Sequence, residues 1–147
     1  MLEFLKKLFE RKPRVPRVDL KSRFELIGRI GQGSMSKVYR ARDPDTDRMY
    51  AIKVLDTPKT RKLEERFLAK GLERPGEGEV AIGLDHPRIV KTYEYGWTIN
   101  DEMFLVMEFV EGVSLSYLID NQNEHMQNGR LRFLVELGEA IEYFHSK

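Results

Sequence analysis

The 147-residue sequence contains no cysteine. That removes disulfide frameworks and thiolate metal sites, and it fits a reducing compartment. No run approaches the ~18 apolar residues of a membrane-spanning helix. The N-terminal apolar residues are broken by charges, so no secretory leader is read there. There are only three histidines, and no pair has metal-ligand spacing. His86, in "DHP", reads as a structural loop residue; His125 falls in a polar loop and His145 on the last helical stretch. No metal site is expected from this inventory. Neither sign of charge is in excess, 25 Lys and Arg standing against 24 Asp and Glu for a net of +1. What is present is 41% apolar and 33% charged residues, the composition of a globular chain with a sizeable core.

The small net charge hides an asymmetry. Residues 1–17 carry six basic side chains (Lys6, Lys7, Arg11, Lys12, Arg14, Arg17) against Glu3 and Glu10, a local +4, which leaves −3 for the remaining 130 residues. A nucleic-acid partner is not expected on that balance. Within 1–12, "MLEFLKKLFERK" sets Leu2, Leu5, Leu8 and Phe9 at helical spacing, with Lys6, Lys7, Glu10 and Arg11 opposite, an amphipathic helix. Residues 13–20 follow as an extended linker, since two prolines in four residues disfavour helix. The helix either docks on the domain's own surface or lies on an anionic membrane surface or a partner. The location expected is cytoplasmic, peripheral at a membrane under the second reading.

From Phe24 the period becomes strand-like. "RFELIGRIG" sets Phe24, Leu26, Gly28 and Ile30 on one face. "KVYRARD" alternates, "DPDTDR" is turn chemistry, and "MYAIKVLD" is a third β-rich run. The three form an antiparallel meander whose first turn holds Gly31 and Gly33. A dinucleotide fingerprint needs a helix directly after its glycines, and a Walker loop needs Gly-Lys-Ser/Thr; a strand follows here, so both are excluded. What remains is a glycine-rich hairpin. It is either a plain flexible turn or one whose backbone N–H groups approach a phosphate with no Cβ in the way. Lys53 lies in the third run, inside apolar sequence, where it needs an anion or a carboxylate to meet it.

At these residues the sequence resembles a protein kinase, of the bacterial eukaryotic-like Ser/Thr type. Gly31, Gly33, Ser36 and Val38 match G-x-G-x-x-G-x-V, with Ser36 in place of the third glycine. Tyr50-Ala51-Ile52-Lys53 matches V-A-I-K. The resemblance implies that Lys53 holds the α/β-phosphates of ATP. It implies that the loop Gly31, Gln32, Gly33, Ser34, Met35, Ser36 covers the phosphates, and that Ile30, Val38 and Ala51 wall the adenine.

Two helical stretches come next, Arg61–Leu72 and one starting near Pro75. The family's glutamate partner of the strand lysine stands ten residues before the proline of H-P-x-I-V, which gives Glu77; Glu79 is the alternative. Glu77 is preferred because Val80, Ala81 and Leu84 share its side at i+3, i+4 and i+7. Gly76, Gly78 and Gly83 surround it. Each costs a helix interior about 1 kcal/mol relative to alanine, so either the first turns are marginal or the glycines allow close packing. "IVKTYEYG" and "EMFLVMEFV" read as two more strands. By the same resemblance Met107 is the gatekeeper, and the Glu108 carbonyl and the Val110 backbone meet adenine. A purine wants flat apolar walls and a backbone edge of this kind.

After Gly112, "SLSYLID" reads as a short helix and "NQNEHMQNG" as loop. "RLRFLVELGEAIEYFHSK" sets Leu134, Leu137, Ile141 and Phe144 on one stripe. The fold expected is α+β: a five-stranded antiparallel sheet with a principal helix over 24–111, the kinase-like N-lobe, and two helices of an incomplete second lobe over 112–147. The resemblance implies a Ser/Thr protein kinase whose complete form transfers the ATP γ-phosphoryl to a protein hydroxyl, with ATP and a protein substrate as partners. A nucleotide-binding pseudokinase is the alternative. Mg²⁺ is expected with ATP, but the family's H-R-D and D-F-G segments, which carry the base and the metal ligands, fall beyond Lys147. The 147 residues alone are therefore expected to be inactive.

Overall fold

A computed structural model describes residues 16–72, 75–121 and 124–147, with the side chains of Gln32 and His125 excepted. The helix expected over 1–12 and the first residues of the 13–20 linker lie outside the described residues. No described helix is long and apolar enough to cross a membrane.

The described elements are β1 (Arg17–Val18), α1 (Leu20–Arg23), β2 (Glu25–Gln32), β3 (Ser36–Arg42), β4 (Met49–Leu55), α2 (Thr57–Leu68), α3 (Glu77–Ile82), β5 (Thr92–Thr98), β6 (Met103–Glu108), α4 (Leu115–Asp120) and α5 (Glu124–His145). The strands form one sheet in the order β1-β5-β6-β4-β3-β2. The five strands expected are there and antiparallel. The short β1 adds a sixth at the edge, parallel to β5 through Arg17↔Trp97 and Val18↔Thr98.

Turn chemistry fixes the hairpins. Between β3 and β4 the Asp43 carboxylate accepts from the Asp45 N–H at 2.9 Å, and Asp47 takes a left-handed φ of 57°. That backbone donor, aided by Thr46, holds the Asp43 carboxyl below its ordinary range. Between β5 and β6, buried Thr98 accepts from the N–H groups of Asn100 and Glu102 at 3.2 Å each.

The two faces of the sheet differ. On the outer face Ala41, Ile52, Phe104 and Val106 pack with Leu20 and Phe24 of the N-terminal segment to form the core; Val18, Leu26, Tyr50 and Val54 flank it. Period-2 alternation sends Val38, Ala51, Lys53, Leu105 and Met107 to the other face. Here the structure corrects one expectation. Register shifts fall between Leu26 and Gly28 and between Arg29 and Gly31. Leu26 pairs with Ala41 on the core face, whereas Gly28 pairs with Arg40 on the opposite one. Each shift inserts a residue and flips the alternation, so Phe24, Leu26, Gly28 and Ile30 do not share a face.

Three helix boundaries, in α2 and α5, also differ from expectation. α2 begins at Thr57, not Arg61, because the Asp56 carboxylate caps it by accepting from the Lys59 N–H at 3.1 Å and Pro58 suits the first turn. It stops at Leu68 because Gly71, at φ 69°, makes a Schellman end: Leu72 N–H donates to Phe67 O at 3.0 Å and Gly71 N–H to Leu68 O at 2.9 Å. α5 begins at Glu124, so the later part of "NQNEHMQNG" is helical rather than loop.

α5 is held to the rest of the chain by polar contacts near its end. The Tyr143 hydroxyl accepts from the Asp85 N–H at 2.9 Å, His86 stacks on Tyr143 at 5.0 Å, and Arg88 meets Glu136 at 3.2 Å. Its apolar stripe, Leu134, Leu137, Ile141 and Phe144, is 45–64% exposed.

Ile52 is fully buried in the outer-face core, whereas Ile27, on the neighbouring sheet edge, is 50% exposed. Ile52→Ala is expected to cost about 2–5 kcal/mol and Ile27→Ala far less. Urea denaturation midpoints of the two variants check this.

Candidate active site

The site is built on the sheet face opposite the core. The strand register sets Val38 beside Lys53 and Lys53 beside Leu105, while Ala51 lies between Arg40 and Met107. Lys53 therefore rises from apolar neighbours on both sides. Its Nζ pairs with Glu77 Oε1 on α3. The Lys53 side chain is 26% exposed and that of Glu77 42%, so the pair is open to a ligand on one side. An ion pair this wet adds only about 0–1 kcal/mol to stability. Its value is the position it gives the ammonium. Glu79, the alternative partner, is exposed and takes no part in this pair.

The glycine-rich turn joins β2 to β3 above this face. Gly33 N–H donates to Ser36 O at 2.9 Å, which closes the turn. Gly31 lies opposite Val38 on β3, and a Cβ there would make an ordinary contact with it at 3.5 Å. Ile30 lies within the second register shift of β2 and is 54% exposed. Two contacts that sequence reasoning missed tie the turn to α2. The Asp56 N–H donates to Met35 O at 2.8 Å, and Lys59 Nζ donates to Ser34 O at 2.7 Å. The signal was the cap sequence Asp56-Thr57-Pro58, which places Lys59 in the first helical turn. A cavity of about 630 Å³ opens beside these contacts, but it is lined by Lys37, Val54, Asp56 and Asp101 and not by Lys53 or Glu77.

At the far end of the face β6 runs out through Met107 and Glu108 to Val110, which is 62% exposed. Glu108 is held against the chain entering β5: its N–H donates to Lys91 O at 2.8 Å, and its carboxylate accepts from the Lys91 N–H at 3.3 Å. Arg40 was also missed. Its guanidinium lies 5.1 Å over the Phe109 ring, and its Nε is buried with no protein partner. It shares the face of Val38, two residues on. The structure thus brings Val38, Ala51, Lys53, Met107 and Glu77 together, with the turn at one end and Glu108 and Val110 at the other.

Comparison with known proteins agrees with this geometry. A family model described as "protein kinase domain" matches residues 24–147. The serine/threonine-protein kinase PrkC of Bacillus subtilis is 33% identical over 129 residues, which are 86% of this chain and 18% of that protein. Among solved structures, the PknI kinase domain of Mycobacterium tuberculosis is similar with a TM-score of 0.62 at 21% identity, covering 85% of this chain and 49% of that one. Rad53 1–466 in complex with AMP-PNP is similar with a TM-score of 0.65 at 26% identity, covering 99% of this chain and 35% of that one. The chain spans 16% to 28% of the length of the curated relatives it matches. The chain belongs to the protein kinase domain family.

The tether between turn and α2 has a pH signature. The Lys59 N–H, and then its ammonium, hold the Asp56 carboxyl below its ordinary value. A carboxylate with a lowered folded value stabilises the fold above its unfolded value of about 3.9, and that contribution fades as pH falls through the folded one. Protection of the Gly33 amide against hydrogen exchange should therefore drop on acidification below about pH 4, and Asp56→Asn should blunt the drop. Lys59→Met should lower the same protection at neutral pH. Exchange measured by NMR and corrected for intrinsic rates checks all three.

Proposed function

We propose that this chain is the nucleotide-binding part of a Ser/Thr protein kinase, and that its complete protein transfers the γ-phosphoryl of ATP to a protein hydroxyl. The observation that carries the reading is the Lys53–Glu77 pair, set under a glycine-rich turn on a face walled by Val38, Ala51 and Met107. The curated relative named above, PrkC, is a serine/threonine-protein kinase, and Rad53 was solved in complex with AMP-PNP, an ATP analogue.

In this reading ATP enters between the turn and the end of β6. Adenine lies against Ile30, Val38 and Ala51 with Met107 behind it, and its edge meets the Glu108 carbonyl and the Val110 backbone. Lys53 holds the α/β-phosphates, and Glu77 holds Lys53. The backbone of Gly31, Gln32, Gly33, Ser34, Met35 and Ser36 covers the phosphates. The donors suit the ligand: a single ammonium and backbone N–H groups for oxyanions, apolar walls for a flat base. In transfer, the substrate oxygen bonds to the γ-phosphorus, the bond to the β–γ bridging oxygen breaks, and ADP leaves; the hydroxyl proton goes to a base. The part assigned to these residues is positioning and charge neutralisation. Mg²⁺ would supply further neutralisation of the phosphates. The described residues hold no cluster of three or more side chains fit to bind it, and no step here runs through it.

A cytoplasmic location belongs to the same proposal, supported by the cysteine-free sequence. So does contact of residues 1–12 with a membrane surface or a partner, supported by their +2 charge and apolar stripe. The test is phosphoryl transfer from labelled ATP to a protein acceptor by the full-length protein. Lys53→Ala is expected to lower the rate by about 10²–10³-fold, as loss of one preorganised charge does. Transfer undiminished in Lys53→Ala, or no ATP binding by the unaltered protein, would overturn the reading.

A further inference from the structure

Residues 77 and 78 are neighbours in sequence, yet they touch strands that are not neighbours in the sheet. Val38, Lys53, Leu105 and Tyr95 form one row of cross-strand partners over β3, β4, β6 and β5. Lys53 and Tyr95 are thus two strands apart, roughly 10 Å. Glu77 reaches Lys53 at one end. Gly78 sits on Tyr95 at the other, and it is buried. A Cβ built on Gly78 would stand 2.5 Å from Tyr95 Cδ2, 2.6 Å from Cγ and 2.8 Å from Cβ.

Those atoms are the root of the tyrosine, not its tip. Turning the ring does not move Cβ, and Cβ is fixed by the pairing of β5 with β6, where Tyr95 lies opposite Leu105. Any side chain at position 78 must therefore lift α3 off the sheet, and Glu77 is the adjacent residue. Helix propensity alone argues the other way, since alanine is the better helix former. The flanking glycines are different. A Cβ on Gly76 meets only Met103 Cε, at 4.0 Å, and one on Gly83 meets Val80 O at 3.5 Å, both ordinary contacts.

We propose that Gly78 is a positioning residue: its missing side chain lets α3 rest on the root of Tyr95, and this seat sets the height at which Glu77 meets Lys53. The functional meaning of that seat rests on the role proposed for Lys53 toward ATP, but the geometry does not.

The test reads the pair without nucleotide. An amine engaged by a carboxylate is withheld from an acylating reagent, so the rate of Lys53 acylation by an N-hydroxysuccinimide ester, followed by mass spectrometry in the full-length protein, reports the pair. Glu77→Gln sets the unpaired rate. Gly78→Ala should raise the rate several-fold, to that of Glu77→Gln, while Gly76→Ala and Gly83→Ala leave it at the unaltered value. Tyr95→Gly in the Gly78→Ala background should bring it back down, a rescue that general destabilisation would not give. Should Gly78→Ala lose its cooperative thermal melt, the double variant decides: it must regain both the melt and the slow rate. A Gly78→Ala rate equal to that of the unaltered protein, or a double variant that stays fast or unfolded, overturns the inference. A protein that passes these tests and fails to bind ATP would instead overturn the proposed function alone.

Discussion

An ammonium inside an apolar strand has to be met by a negative charge, and the pairing of Lys53 with Glu77 is the constraint on which the rest of this structure turns. Lys53 is placed by strand register between Val38 and Leu105. Glu77 is placed by a helix of only six residues, α3, which has glycine at both caps and no side-chain cap bond. So short a helix does not hold its own position. It is seated on β5 through Gly78, and the chain beyond it is pinned to α5 by Tyr143, His86 and Arg88. Sheet, short helix and C-terminal helix are thus coupled through polar and close-packed contacts rather than through a shared apolar core. The core itself lies on the other face of the sheet.

That division of labour explains how the cleft face can stay open. Phe104, Ile52 and Val106 are buried on the outer face, while the opposite face buries Leu105 and Ala51 and carries a charge and a backbone edge as well. The glycine-rich turn follows the same logic. It lies near the sheet end but is held by Asp56 and Lys59 at the start of α2, a helix with no buried residue of its own.

The sequence was legible where a local signal and a global role coincide. The meander, the Gly31–Ser36 turn and the lysine in an apolar strand each depend on spacing alone, and Glu77, ten residues before Pro87, followed from the resemblance to a kinase. It was not legible where structure overrides period. The insertions in β2 flip Gly28 away from Leu26, and nothing in "RFELIGRIG" marks where alternation breaks. β1 is two residues long and exists only because β5 offers a free edge. The early start of α2 was readable from Asp56 and Pro58, but the run from Arg61 looked more helical. Arg40 lacked any signal except its alternation with Val38, because its contact with Phe109 joins residues far apart in the chain.

The central claim is that Lys53 and Glu77 act as one unit toward nucleotide. A double-mutant cycle on ATP affinity, by calorimetry on the full-length protein with Lys53→Met, Glu77→Gln and both together, tests it most directly. If the two act as a unit, each single change weakens ATP binding and the double is little worse than Lys53→Met alone, with a coupling energy in the range of about 0.5–3 kcal/mol. Effects that simply add, or an affinity indifferent to Glu77, would contradict the account.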